Sequence, residues 1–432
     1  MCQILFHLLA PASVVEWSTS DLIGPEEEDW RVPVSELEAR QTILSHSLSA
    51  AGMSAALIQN PVDLHYYAGG RQNAALLVPA EGEAAGTVQF VRRSLRRAEW
   101  DAGGDDAPHE VAAFPRLSAF SDELARRGVS SKPSLQLGSI PHSYATRFIR
   151  ALDGLDGDAE DCSRLVHSQR EAKSEWELGC MREGAEIQLQ MFETIAALGA
   201  EGVSELELAA SAEAVSRAAG FGGDISLRRF PMQCDRGVVV AGRAGGIPSF
   251  FDAAIGGTGP HPGVGMGSGF GRIKAGEPVL VDLLHAHRGY IVDMTRMFVA
   301  GSLSEEWMNR LEDMLCIKDV VVDVLDQGRA CSEAWKEGFA LACELGYEDH
   351  LMGMRPDQAR FLAHAVGLEL DESPVVSEGF DMPLKIGATM AIEPKVVYPE
   401  GSIGSEDTWV RTEDGMEPLT AGAAFPWVHE WE

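Results

Sequence analysis

Two acidic residues set in apolar, β-branched company constrain this chain more than any other feature. In VLVDLLHAHRGYIVDMTRMFV, residues 279–299, Asp282 and Asp293 lie in runs that read as strands. A carboxylate buried there without a partner is costly. A turn over Ala286–Gly289 predicts a hairpin that pairs Leu284 with Ile291 and Asp282 with Asp293, placing both carboxylates on one face. Like charges that close need a proton or a cation between them.

The pattern recurs in TMAIEPKVVYPEGSIGSEDTWVRT, residues 389–412, where a turn at Pro399–Glu400 predicts that Glu393 faces Glu406. One imidazole, His364 in FLAHAVGLELDESP, sits in a similarly apolar setting. Any one of these residues alone is more often a surface carboxylate or a hydrogen-bonded histidine; together they reverse that expectation. Four carboxylates and one histidine are too rich in oxygen for a structural zinc and suit two divalent ions of the manganese, cobalt or zinc type.

With its order and spacing, the set Asp282, Asp293, His364, Glu393 and Glu406 resembles the metal-dependent pita-bread superfamily of prolidase, aminopeptidase P and methionine aminopeptidase. SAALIQNPVDLHYYAGG, residues 54–70, resembles the creatinase-like N-terminal domain that accompanies some members. The resemblance implies that Asp293 and Glu406 bridge two ions, that Asp282 holds one, and that His364 and Glu393 hold the other. It also implies that Glu393 takes a proton from the water between the ions. A two-ion site acidifies such a water and polarises a carbonyl, so the expected reaction is hydrolysis of an amide C–N bond, most simply in an Xaa-Pro dipeptide. It implies a homodimer as well.

Three positions depart from the peptidase pattern. Asp371 stands where a second, substrate-contacting histidine is expected, which removes an imidazole donor from the oxyanion position. Gly404 stands where the aminopeptidase P pattern has an arginine, and the only upstream candidate for a further catalytic histidine is His261. Glu393, His261 and Asp371 are therefore the catalytic candidates. The departures keep open a non-peptide C–N hydrolase of the ectoine hydrolase kind, a lyase acting on a zwitterion, and a non-catalytic metal-binding relative. His285 and His287 read either as donors behind the metal ligands or as exposed turn residues.

Helical spacing predicts helices over Leu37–Ala51, Glu171–Leu198, Ser304–Leu325 and Ser332–Leu345, and Ser204 with Glu207 announces another through a capping box. Helices beside hairpin strands predict an α+β fold rather than a parallel dinucleotide-binding sheet. The expected division is an extension over 1–33, a creatinase-like α/β domain over 34–166 and a pita-bread catalytic domain over 167–432. The glycine ladder Gly263–Gly271 fits no G-x-G-x-x-G register and reads as a loop near the site.

Charge narrows the partners. With 66 acidic against 35 basic residues and a formal charge of −31, the chain has no electrostatic grip on nucleic acid or an anionic membrane. Its seven cysteines contain no C-x-x-C pair, which fits a reducing, cytoplasmic setting. The apolar stretch within residues 1–18 lacks a basic n-region and reads as an extension rather than a signal peptide. The expected partner is a small peptide or amide.

Overall fold

Apolar runs punctuated by glycine and proline become strands, and capped amphipathic runs become helices, in the computed structural model of this chain. It describes residues 18–22, 24, 28–230, 234 and 237–432; the apolar N-terminal stretch lies outside the described residues, apart from its last position. The chain divides into two compact units, one reaching to Leu135 and including His142–Glu160, the other comprising Gln136–Pro141 and Asp161–Glu432.

The first unit contains α1 (Val34–Ala50), β1 (Ala55–Ile58), α2 (Pro61–Ala68), β2 (Ala74–Pro79), β3 (Val88–Val91), α3 (Leu95–Asp101), β4 (Glu110–Ala113), α4 (Phe120–Arg126), β5 (Ser134–Leu135) and α5 (His142–Ala151). Its sheet runs β4-β3-β2-β1-β5, antiparallel across β1, β2 and β3 and parallel at both outer pairs. Leu57, Leu77, Phe90, Phe120 and Phe148 fill its core.

The second unit begins with α6 (Ser163–Arg170), α7 (Glu175–Leu198), α8 (Glu205–Ala218), β6 (Gly237–Ala241), β7 (Val279–His287) and β8 (Tyr290–Ala300). It continues through α9 (Glu305–Asp326), α10 (Cys331–Glu344), β9 (Ala363–Ala365), β10 (Glu372–Val376), β11 (Thr389–Ile392) and β12 (Lys395–Tyr398). The final strands are β13 (Gly401–Gly404), β14 (Glu406–Arg411), β15 (Met416–Pro418) and β16 (Val428–Trp431). Both long N-terminal helices of this unit start at capping boxes. Ser204 and Glu207 satisfy each other's backbone amides as expected, and Ser174 with Glu177 does the same for α7. That second box starts α7 later than the expected Glu171, because the Lys173 amide is spent on the Gly387 carbonyl.

The main sheet runs β10-β9-β11-β14-β8-β7-β6, with β15 on β14 and β16 on β8. Alternation along β7 decides which side chains face which layer. Val279, Val281 and Leu283 pack with Phe192 and Ile195 of α7, whereas Leu280 packs on the opposite side with Met314 and Ile317 of α9. Each such fully buried side chain contributes about 1.5–3 kcal/mol. Asp282 and Leu284 share the face of Leu280, so Asp282 is turned away from the α7 layer.

One expected register is corrected. β7 and β8 turn at Arg288–Gly289, both at positive φ (50° and 94°), so His287 pairs with Tyr290, Leu284 with Asp293 and Asp282 with Thr295. This two-residue turn with both residues left-handed matches the strand twist, and it displaces the expected pairing by two residues. A shift of two preserves faces, so Asp282 and Asp293 stay on one side as diagonal neighbours. The second hairpin follows the expected register: Lys395 pairs with Gly404 and Tyr398 with Gly401, and Ile392 pairs with Asp407 across β11 and β14. Among the described residues no helix is long and apolar enough to cross a membrane.

Candidate metal centre

Five successive neighbours in the sheet order supply the five expected ligand residues. His364 is on β9, Glu393 follows β11 directly, Glu406 opens β14, Asp293 is on β8 and Asp282 on β7. All five line one cavity of about 130 Å³, whose walls include Leu227, Phe251, Ile255, Met266 and Phe361. The loop carrying the glycine ladder reaches this wall through Met266.

The ligand atoms of Asp293, His364 and Glu406 lie within 4.8 Å of one another. His364 Nε2 is 3.3 Å from Glu393 Oε1 and 4.0 Å from Asp293 Oδ2. Asp293 Oδ1 is buried with no hydrogen-bond partner among the described residues, in a residue only 4% exposed. Two buried carboxylates grouped with an imidazole suit a divalent transition ion, so these residues fit one such ion.

The rest of the cluster contains a residue that the sequence analysis passed over. Lys395, fully buried, places Nζ 2.5 Å from Glu393 Oε2, 2.6 Å from Glu406 Oε2 and 3.3 Å from Asp282 Oδ2. Its place in the hairpin was available, two residues beyond Glu393 and opposite Gly404, but its burial was not. A Cβ on Gly404 would come within 2.5 Å of the Pro394 carbonyl and 2.6 Å of Lys395 Cγ, so the glycine makes room for both the backbone and the lysine stem.

Glu406 is fixed from behind. Thr295 donates to its Oε2 at 2.8 Å, and buried Arg296 donates to its backbone carbonyl at 2.8 Å while pairing with Asp407 at 3.0 Å. Thr408 likewise clamps the backbone of Asp293, accepting from its N–H and donating to its carbonyl. Burial pushes the Asp293 and Glu406 carboxyls up, reinforced by the neighbouring carboxylates. Burial also disfavours the charged form of Glu393, but Lys395 and His364 outweigh it and hold this carboxyl low. Burial opposes a charged His364, and the hydrogen bond and charge of Glu393 overcome it, raising the imidazole to about 9.

Asp371 lines the cavity, with both oxygens engaged by backbone: Arg228 N–H donates at 2.6 Å and Arg229 N–H at 3.0 Å. It anchors the loop on which Arg229 reaches the cavity wall. The structure does not bring His261 to this cavity. His261 is exposed, and its ring accepts from Gly263 N–H at 3.2 Å because residues 261–264 fold back on themselves. His285 and His287 lie on the opposite face of β7, neither exposed turn residues nor donors to the ligands. His285 meets Ser216 Oγ of α8 at 2.7 Å and His287 meets Glu183 of α7 at 2.9 Å. Burial lowers His285 to about 4.

Residues 179–413 match the sequence model of metallopeptidase family M24. Over 150 residues the chain is 32% identical to an Xaa-Pro dipeptidase of Pyrococcus furiosus, covering 34% of this chain and 41% of that one, so the match spans under half of the relative. A Bacillus subtilis peptidase described as uncharacterized is 24% identical over 372 residues, covering 85% of this chain and 94% of the other. Among solved structures, the dipeptidase PepE of Mycobacterium ulcerans superposes with a TM-score of 0.74 at 18% identity, covering 93% of this chain and all of that one. The X-Pro aminopeptidase of Thermotoga maritima gives 0.71 at 19%, covering 88% and 98%. The fold is the pita-bread fold that the sequence led us to expect.

Proposed function

The chain belongs to metallopeptidase family M24, and we propose that it hydrolyses the C–N bond of a small peptide or amide, with Xaa-Pro dipeptides the first substrate class. One observation carries this reading: Asp293, His364 and Glu406 bring ligand atoms within 4.8 Å of one another in the cavity, and Asp293 Oδ1 is buried with no hydrogen-bond partner among the described residues.

Asp293, His364 and Glu406, with Glu393 beside them, would hold a divalent ion. When bound, such an ion supplies Lewis acidity toward a carbonyl and makes water a better nucleophile near neutral pH. The chain's own residues do the rest. Glu393, kept ionised by Lys395 and His364, accepts the proton of the attacking water and returns it to the leaving nitrogen. Thr295, Thr408 and Arg296 keep Glu406 and Asp293 from turning out of line, as residues behind metal ligands do. The apolar walls exclude bulk water and strengthen each charge interaction inside.

The absence of an imidazole at Asp371, whose oxygens are both taken by backbone amides, favours a second reading in which the substrate is a small non-peptide amide. A homodimer in a cytoplasmic setting belongs to the proposal. The test is a panel of Xaa-Pro dipeptides, other dipeptides and small amides, run on metal-free protein and after adding manganese, cobalt or zinc. Metal-dependent, proline-dependent cleavage supports the first reading, and metal-dependent cleavage of small amides alone supports the second. Undiminished cleavage in the metal-free protein contradicts both.

A further inference from the structure

The family resemblance implies two ions, the one farther from His364 held by Asp282 with the bridging carboxylates. In this chain that place is filled by protein. We propose that the Lys395 ammonium replaces one cation, so that the chain binds a single divalent ion beside His364 and carries its second positive charge covalently. The inference rests on the metal-dependent reading above and deepens it.

Three features make the lysine position a built one. An ammonium has three N–H donors, and Lys395 Nζ has three carboxylate oxygens around it, from Glu393 at 2.5 Å, Glu406 at 2.6 Å and Asp282 at 3.3 Å. The side chain is fully buried, so the pairing is not a solvated surface contact. Its ladder partner is Gly404, where a Cβ would meet the Pro394 carbonyl at 2.5 Å as well as Lys395 Cγ at 2.6 Å, so the strand and the lysine stem both need the side chain to be missing.

Charge and space then separate the two halves of the cluster. On the Asp282 side one oxygen each of Asp282, Glu393 and Glu406 lies within 3.3 Å of Nζ, and a divalent ion placed there would sit against a buried positive charge. On the His364 side the imidazole Nε2 lies 4.0 Å from Asp293 Oδ2, and Asp293 Oδ1 is buried with no hydrogen-bond partner among the described residues. Asp282 therefore acts as a partner of the ammonium rather than as a metal ligand.

The experiment is calorimetric titration of metal-free protein with Mn²⁺ and with Zn²⁺, with elemental analysis after dialysis, for the wild type and Lys395→Ala. The expected result is one ion per chain in the wild type and two in Lys395→Ala. Two ions in the wild type overturn the inference while leaving the metal-dependent function standing. One ion in both proteins overturns it too, since the lysine would not be what bars the second. No ion in the wild type removes the metal-dependent reading and this inference with it. Anomalous diffraction from manganese-loaded wild-type crystals provides a check independent of the variant's folding. A single peak between Asp293 and His364 is expected, and a peak beside Asp282 overturns the inference.

Discussion

Two buried acidic clusters lie in the same unit, and they differ in how they are neutralised. In the cluster behind β10, Glu369 and Glu372 meet Arg170, Lys173 and Arg228: Glu372 takes Lys173 at 2.9 Å and a close contact from Arg170, and Glu369 takes Arg170 and Arg228, each at 2.9 Å. Asp371 beside them is satisfied by backbone amides. In the cavity cluster, four carboxylates meet one lysine and one histidine, and Asp293 Oδ1 has no hydrogen-bond partner among the described residues. The first cluster is electrically closed and holds the fold together. The second crowds its carboxylates around one lysine and one imidazole, and crowding of that kind is relieved by protons or by a bound cation.

The comparison can be broken most sharply at Glu393. Glu393→Ala should lower kcat/KM by about 10³-fold, the range expected for a lost general base, with the fold intact by circular dichroism. Retention of full activity would remove Glu393 from the mechanism. The balanced cluster should answer in the other currency. Glu372→Ala strands buried cations and should cost about 3–5 kcal/mol in urea unfolding, while bound metal per folded chain stays unchanged. A loss of metal without a loss of stability would show that the two clusters are not separable.

A third test uses pH. His285 titrates near 4 in the folded protein, because burial disfavours its charged form, against about 6.5 in the unfolded chain. The unfolded state therefore binds the proton first, so this contribution is fully present above about pH 6.5 and drains as pH falls toward 4, reaching about 3 kcal/mol. His285→Asn should flatten the stability slope in that window. Glu372 is depressed by Arg170, Lys173 and Arg228 despite its burial, so its contribution is present above about pH 4.3 and is lost only below that.

Metal removal should show a slightly smaller effect. Restoring manganese to metal-free protein at a hundredfold excess over Kd should add about 2.7 kcal/mol to unfolding stability. His364→Ala should abolish that gain. At the small end, His261→Ala should leave metal content unchanged, since its ring is exposed and turned onto its own loop.

Much of this was legible in the sequence because hairpins obey local arithmetic. The turn at Pro399–Glu400 sets the ladder that carries Lys395 and Gly404, and the capping box at Ser204 and Glu207 starts α8 where expected. The β7–β8 pairing slipped by two residues because Arg288, at φ 50°, is an unusual occupant of a turn position that favours asparagine, aspartate or glycine. Its ligand faces survived because the slip was even. The burial of Lys395 was not legible from its neighbours, since a lysine is ordinarily solvated; its carboxylate partners come from β7, β14 and the residue after β11. The network around Glu372 was hidden for the same reason, joining residues about two hundred positions apart.

The most direct test of the central claim is to add manganese or zinc stepwise to metal-free protein while recording bound ion and Xaa-Pro dipeptide hydrolysis in the same samples. The account predicts that binding and cleavage rise together, saturate together and are both lost in His364→Ala. Cleavage that is already complete without metal, or a protein that binds no divalent ion, would contradict it.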